Sequence, residues 1–391
     1  MNKVPSLRFK EFSGEWEEKK LKNIVEVNPK TEELPDEFIY IDLESVENGI
    51  LKEKKIIQKE NAPSRAKRNV KLNDILYQTV RPYQQNNLFF NFDDKFEYIA
   101  STGYAQLRSI KNNSKYIYHM LHTKKFLDKV LERCTGTSYP AINSNDLSEI
   151  NIFYTPFLEE QEKIGNFLSS VDKKISIVEE KLNLFNQYKK GIMQKIFNQE
   201  LRFKDENGNN YPKWEERKLG EISSFTNGKG HEQFIEKHGK YIIVNSKFIS
   251  SNGLIKKYTS SLIVPLYVND ILMVMSDVPN GKAIGKCFLV NEENKYSLNQ
   301  RICALRTNES PKYLYYFLNR NSYFLKFDDG ISQTNLKKDE VLNCPIFLPC
   351  LEEQKKIADF LSAIDDKIEN ISGNLESLKL FKKSMLQKMF V

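Results

Sequence analysis

From Ile164 onward, apolar side chains return at steps of four and three: Ile164, Leu168, Val171, Ile175, Val178, Leu182, Phe185, then Ile192 and Ile196. The same rhythm carries Ile357, Leu361, Ile364, Ile368, Ile371, Leu375, Leu378, Met385 and Met389. A stripe at this spacing is a coiled-coil seam and predicts two long helices. The stretches are copies, because Pro156–Phe197 aligns with Pro349–Phe390 without a gap and 19 of 42 positions are identical. Each begins at a proline, which disfavours helix in the residue before it. An acidic pair follows (Glu159-Glu160, Glu352-Glu353), suiting the positive end of a helix dipole. About 40 residues at 1.5 Å each give a helix about 60 Å long. One seam position is lysine in both copies, Lys189 and Lys382. Parallel packing in register would bring the two ammonium groups together inside the seam, so antiparallel pairing is expected. The competing arrangement is two separate amphipathic helices, each lying on its own domain.

Outside the copies the period shortens to two. Runs at Phe38–Leu43, Ile75–Val80, Tyr98–Leu107 and Ile150–Tyr154 read as strands, as do Tyr241–Asn245, Ile271–Met275, Ala283–Val290, Arg301–Leu305 and Ile346–Leu348. Each block adds one amphipathic helix, at about Tyr116–Arg133 and about Lys312–Phe327. The blocks also share landmarks in order: Leu7-Arg8-Phe9-Lys10 with Leu201-Arg202-Phe203-Lys204, Trp16-Glu17-Glu18 with Trp214-Glu215-Glu216, and Asp74-Ile75-Leu76 with Asp270-Ile271-Leu272. The chain is a duplicated module with expected boundaries 1–155, 156–199, 200–348 and 349–391. The fold class is α+β: two tandem strand-rich α+β domains joined by two long helices in an antiparallel coiled coil, with pseudo-two-fold symmetry.

With 391 residues and 40% apolar content the chain can bury more than one core. The net charge of +7 is compatible with a polyanionic partner. No apolar run reaches the roughly 20 residues of a membrane span, and MNKVPSLRFKEF lacks the apolar core of a signal peptide, which points to the cytoplasm. The five cysteines never fall at Cys-x-x-Cys spacing, so buried free thiols are expected.

Catalytic signals do not hold up. Gly281-Lys282-Ala283-Ile284-Gly285-Lys286-Cys287 has its glycines one residue too close for a phosphate-binding loop and cysteine where magnesium needs a hydroxyl, so it reads as a basic hairpin. His119, His122, His231 and His238 lack a ligand set and are expected at the surface. Neither a dinucleotide fingerprint nor a nucleophile elbow occurs. The pattern is that of a binder, with no catalytic or metal-binding residues assigned.

Candidate nucleic-acid contacts cluster in loops. Arg65, Lys67 and Arg68 form a basic loop, and Arg81, Tyr83, Gln84, Gln85 and Asn86 follow a strand, combining the side chains able to pair with purine edges. A solvated loop is the competing reading for Gln84–Asn87. The stretch with Thr137, Ser138 and Tyr139 matches the one with Ser332, Gln333, Asn335 and Lys337, each directly before the last strand of its block. The second block adds Lys256, Lys257, Asn280, Lys282 and Lys286. Basic, polar loops at equivalent places in tandem domains favour nucleic acid.

On the segments Pro156-Phe157-Leu158-Glu159-Glu160-Gln161 and Pro349-Cys350-Leu351-Glu352-Glu353-Gln354, with Val80-Arg81-Pro82 and Gly136-Thr137-Ser138, the chain resembles the specificity subunit of a type I restriction-modification system. The second block departs from the pattern, since Ser276-Asp277-Val278-Pro279 replaces Val-Arg-Pro. The resemblance implies two target-recognition domains, each reading half of a bipartite, asymmetric target on double-stranded DNA, with the helices as a ruler for the unread spacer. It further implies docking of two methyltransferase subunits that bring S-adenosylmethionine, and motor-nuclease subunits in the full complex, with no cofactor and no catalysis in this chain. The alternatives are an enzyme with its own active site and a non-enzymatic coiled-coil scaffold with protein-binding domains.

Overall fold

A computed structural model describes residues 3–391. The chain forms two compact units: residues up to Lys181 with Ile371–Val391, and Leu182–Asn370.

In the first unit an antiparallel sheet runs in the order Val25–Val27, Tyr104–Ser109, Ile75–Gln78, Leu88–Phe89. Ile75–Gln78 is buried along its whole length, which is why Ile75-Leu76-Tyr77 reads as a continuous apolar run rather than an alternation. Ile75 and Tyr77 face the core that holds the helices, whereas Leu76 faces a second core with Ile39, Ile41 and Tyr98. Across that second core lies a sheet in the order Ile56–Gln58, Glu37–Ile41, Tyr98–Ser101, Ala66–Asn69, in which Glu37–Ile41 and Tyr98–Ser101 are parallel. The second unit repeats this plan. Ser223–Asn227, Ile302–Thr307, Ile271–Val274 and Cys287–Leu289 form the first sheet, and Tyr258–Thr259, Tyr241–Val244 and Tyr296–Leu298 the second. Ile271 and Met273 again face one core, and Leu272 and Val274 the other.

The repeated Asp-Ile-Leu landmark has a physical cause. Asp74 and Asp270 are buried, and each is held by a two-pronged arginine: Arg108 Nε and Nη2 at 2.8 and 2.7 Å, and Arg306 Nε and Nη2 at 2.7 and 3.0 Å. Each carboxylate also accepts from a backbone N–H three residues earlier, closing the turn into the strand.

The single helix expected over Tyr116–Arg133 is two, Ser114–Leu121 and Lys124–Leu131, because the Thr123 hydroxyl accepts from Phe126 N and starts a new helix. Pro311–Leu318 and Ser322–Leu325 divide likewise at Asn321, whose side chain accepts from Tyr323 N. Nor are the histidines all at the surface. His119 and His231 are buried, and each meets polar groups inside the fold: His119 Nε2 lies 3.1 Å from Ser169 Oγ, and His231 lies 2.7 Å from both Ser297 Oγ and Lys229 O. The stretch expected as a strand over Ala283–Val290 pairs only at Cys287–Leu289. Its first part folds around Asp277 instead, whose Oδ2 accepts from Ala283 N and Ile284 N. All five cysteines are free, with Cys287, Cys303 and Cys344 buried.

The long helices are Leu158–Phe197 and Leu351–Met389. Their shared Glu-Glu-Gln start does more than suit the dipole. Glu160 is completely buried and takes Arg8 Nε and Nη2 at 2.7 and 2.8 Å; Glu353, equally buried, takes Arg202 Nε and Nη2 at 3.1 and 2.6 Å. Gln161 Oε1 accepts from Asn113 N at 2.9 Å and Gln354 Oε1 from Ser310 N at 3.0 Å, so each glutamine holds the start of the domain's own helix. The Leu-Arg-Phe-Lys and Glu-Glu-Gln motifs thus form one clamp, binding each long helix to the domain that precedes it.

In the first unit the start of one long helix runs beside the end of the other: Asp172 pairs with Lys382 at 2.5 Å, Glu179 pairs with Lys379 at 2.8 Å, and the Phe167 and Phe381 rings meet edge to face. In the second unit Lys189 pairs with Asp365, and Phe197 packs on Tyr313 and Phe317. The helices are therefore antiparallel in both units. Each seam lysine is neutralised by an aspartate of the facing helix. Ile164, Leu168, Val171, Val178, Ile357, Leu361, Ile364, Ile371 and Leu375 are buried, and Ile175, Leu182, Phe185, Ile368 and Leu378 partly so. Each fully buried aliphatic chain contributes roughly 1.5–3 kcal/mol.

Candidate nucleic-acid interface

In the first unit a chain of backbone hydrogen bonds gathers four loops. Thr102 N donates to Arg65 O at 2.9 Å, Thr79 N to Gly103 O at 3.0 Å, Ile142 N to Thr79 O at 3.0 Å, and Arg81 N to Pro140 O at 2.7 Å. Arg65, Lys67 and Arg68 are thereby linked through the Ser101–Gly103 turn to Arg81 and Tyr83, and through these to Thr137, Ser138 and Tyr139. Arg81 is in the left-handed region at φ 53°, a strained setting for an arginine that turns the chain abruptly into Pro82–Gln84. Its guanidinium lies 4.3 Å from the Tyr139 ring centroid, and its buried Nε has no hydrogen-bond partner among the described residues. Arg68 Nε is likewise buried without a partner among the described residues, and burial lowers its pKa from the usual arginine value. Tyr83 is 50% and Tyr139 64% exposed, so two aromatic rings are open at this surface, one of them against Arg81.

Buried Gln78 builds the loop from beneath. Its Nε2 donates to Val80 O and Gln84 Oε1, and its Oε1 accepts from Asn86 N. Asn86 Oδ1 in turn accepts from Asn48 N. Gln84 and Asn86 therefore spend their oxygens on the fold, and their amide nitrogens are left without a partner among the described residues.

The second unit has equivalent connections with other side chains. Met275 N donates to Arg301 O at 3.0 Å and Leu336 N to Met275 O at 2.7 Å, and Ser276 and Asp277 pair with Asn335 and Thr334. Asn280 Nδ2 reaches Gly330 O at 3.0 Å, and Gln333 Nε2 reaches Ser276 Oγ at 2.7 Å. Asn280, Lys282, Ser332, Gln333 and Asn335 thus share one exposed loop cluster. Lys286 turns away to Ser250 O at 2.8 Å, and burial lowers its pKa from the usual lysine value. Lys256 and Lys257 lie on the edge of the neighbouring sheet, where Lys257 O accepts from Ile243 N. Lys337 is exposed at the start of Lys338–Leu342. Sequence reasoning missed Asp277, which organises the second cluster, and placed Arg301 inside a strand although it lies in the turn before Ile302–Thr307. Aligning the two Asp-Ile-Leu strands residue by residue would have brought both forward.

Among the described residues no group of three or more His, Cys, Asp or Glu side chains is arranged to hold a metal ion, and no helix is long and apolar enough to cross a membrane.

The family model described as type I restriction modification DNA specificity domain matches residues 13–187 and 211–380. The type I restriction enzyme MjaVIII specificity subunit of Methanocaldococcus jannaschii is 27% identical over 294 residues, covering 69% of this chain and 68% of that protein. The putative type I restriction enzyme MjaX specificity subunit of the same organism is 26% identical, covering 96% and 93%. Among solved structures, the type I restriction-modification S subunit from M. genitalium matches with a TM-score of 0.62 at 18% identity over 99% of each chain, a likeness of fold.

Proposed function

Because the chain belongs to the type I restriction modification DNA specificity family, we propose that it is the DNA-reading subunit of such a system, each unit reading one half of a bipartite target. The observation that carries this reading is the convergence of four loops in the first unit, where Arg81 lies against the exposed Tyr139 and the buried Nε atoms of Arg81 and Arg68 have no partner among the described residues. Guanidinium groups suit the paired acceptors of guanine or a phosphate, and exposed rings offer stacking faces. The halves of the target differ, a reading supported by the contrast between Arg81 with Tyr139 in one unit and Asp277 with Thr334 in the other.

The antiparallel helices serve as the ruler for the unread spacer and as the platform for two methyltransferase subunits. Exposed apolar side chains on them support docking: Ile177 and Leu380 in the first unit, Leu184 and Tyr188 in the second. Methylation, with its S-adenosylmethionine, and cleavage by motor-nuclease subunits are assigned to partners; this chain contributes binding, in the cytoplasm where the DNA is. The test is protection of a methylated target site by the chain with its methyltransferase, over a salt series. Sequence-selective protection that weakens steeply with salt supports the reading. Salt-insensitive association without DNA protection supports a protein-binding scaffold instead.

A further inference from the structure

The ladders of the two units align rung for rung. Gln78 faces Tyr104 in one and Val274 faces Ile302 in the other. One rung further, Thr79 N donates to Gly103 O and Met275 N to Arg301 O, each at 3.0 Å. On the other side, Ile142 N donates to Thr79 O and Leu336 N to Met275 O. Arg81 therefore corresponds to Asp277, and Gly103 to Arg301.

Asp277 cannot take over the part of Arg81. Beyond its opposite charge, it is committed to the loop: Oδ1 accepts from Val278 N at 2.9 Å, and Oδ2 from Ala283 N at 2.6 Å and Ile284 N at 3.1 Å. Gly281 lies so close that a Cβ there would stand 2.2 Å from Oδ2. Across the rung the trade is reversed. Gly103 has no side chain and is covered by Leu43, whereas Arg301 is exposed, with no hydrogen-bond or ion-pair partner among the described residues. The next loop adds Lys229, exposed and bridged to Asn299.

We propose that the second unit reads DNA with Arg301, its guanidinium delivered from the opposite strand of the ladder to the place where the first unit uses Arg81. The assignment rests on the DNA-reading function above and names the base-contacting residue of the second half-site. A guanidinium in this setting is matched to the O6 and N7 acceptors of guanine.

The test selects duplexes from a randomised DNA library with the full chain bound to its own methyltransferase partner, comparing wild type, Arg301→Ala, Arg301→Lys and Arg81→Ala. Wild type should enrich a two-part motif. Arg301→Ala should reduce the preference at one position of one part by about 5- to 150-fold and leave the other part intact, while Arg81→Ala affects the opposite part. Arg301→Lys keeps the charge without the planar fork, so total recovery should hold while the preference stays reduced. An unchanged motif in Arg301→Ala overturns the proposal. So does an equal loss across all sequences, which marks a phosphate contact. A wild-type complex that enriches no motif overturns the DNA-reading function itself, and the proposal with it.

Discussion

Arg8→Ala tests the clamp that ties the first long helix to its domain. The Glu160 carboxylate is fully buried, and its two oxygens accept from Arg8 at 2.7 and 2.8 Å; among the described residues the only other donor on it is Thr155 Oγ1 at 2.5 Å. Removing the arginine leaves a buried charge with one hydroxyl, a change that costs roughly 3–5 kcal/mol in buried pairs. The remaining Arg8 contact, Nη1 to Gly14 O, is exposed and adds little. The double variant Arg8→Met/Glu160→Leu removes the charge along with its partner and should recover most of the loss. Urea unfolding of the full chain gives the free energies, and amide hydrogen exchange over residues 158–168 gives the location. A single variant within about 1 kcal/mol of wild type, or a double variant as unstable as the single, would refute the clamp.

Three further outcomes follow from the same geometry. Arg81→Ala should weaken recognition of one half-site by about 1–3 kcal/mol and spare the other, read by competition binding with half-site variants; a uniform loss across sequences would demote it to a phosphate contact. Removing one heptad from each long helix, Glu179–Phe185 and Glu369–Leu375, shortens each by about 10 Å, or about three base pairs, so the tolerated spacer should change by that amount in methylation assays; an unchanged spacer would sink the ruler. The third concerns pH. His122 Nδ1 donates to Tyr118 O, and Nε2 faces the Asn87 amide nitrogen, whose orientation is set by Gln78 N donating to Asn87 Oδ1. Burial, helped by the positive charge of Lys382, brings His122 down to about 4 although the bond to Tyr118 O acts in the opposite direction. The unfolded ring binds a proton near 6.5 and the folded one does not, so stability present above pH 6.5 is lost as pH falls toward 4, by at most about 3 kcal/mol. His122→Gln should flatten that slope in pH-dependent unfolding, and an identical slope would contradict the assignment.

What was legible in the sequence was what repeats. The heptad stripes, the duplicated blocks and the Asp-Ile-Leu strands could be read because each is a regular period or a copy of another segment. The partners that make those motifs necessary were not legible. Glu160 and Glu353 looked like dipole residues because their arginines lie about 150 positions earlier, and only folding brings them together. Lys189 and Lys382 argued for antiparallel helices by mutual avoidance, yet Asp365 and Asp172, which neutralise them, sit on the facing helix. His119 has no ligand set in sequence and looked exposed. Its place is taken in the second unit by Tyr316, which meets Ser362 and Asp365 as His119 meets Ser169 and Asp172, so a structural role under the helix seam accounts for both. Loop geometry was least visible, since the turn at Arg81 depends on a left-handed backbone that no propensity favours for arginine.

The proposed function puts two unlike readers on one chain. Mapping methylated adenines in a genome that carries this chain and its methyltransferase tests it most directly. One asymmetric motif in two parts separated by a fixed gap of unread bases is expected. A single uninterrupted motif, or two parts at variable spacing, would contradict it.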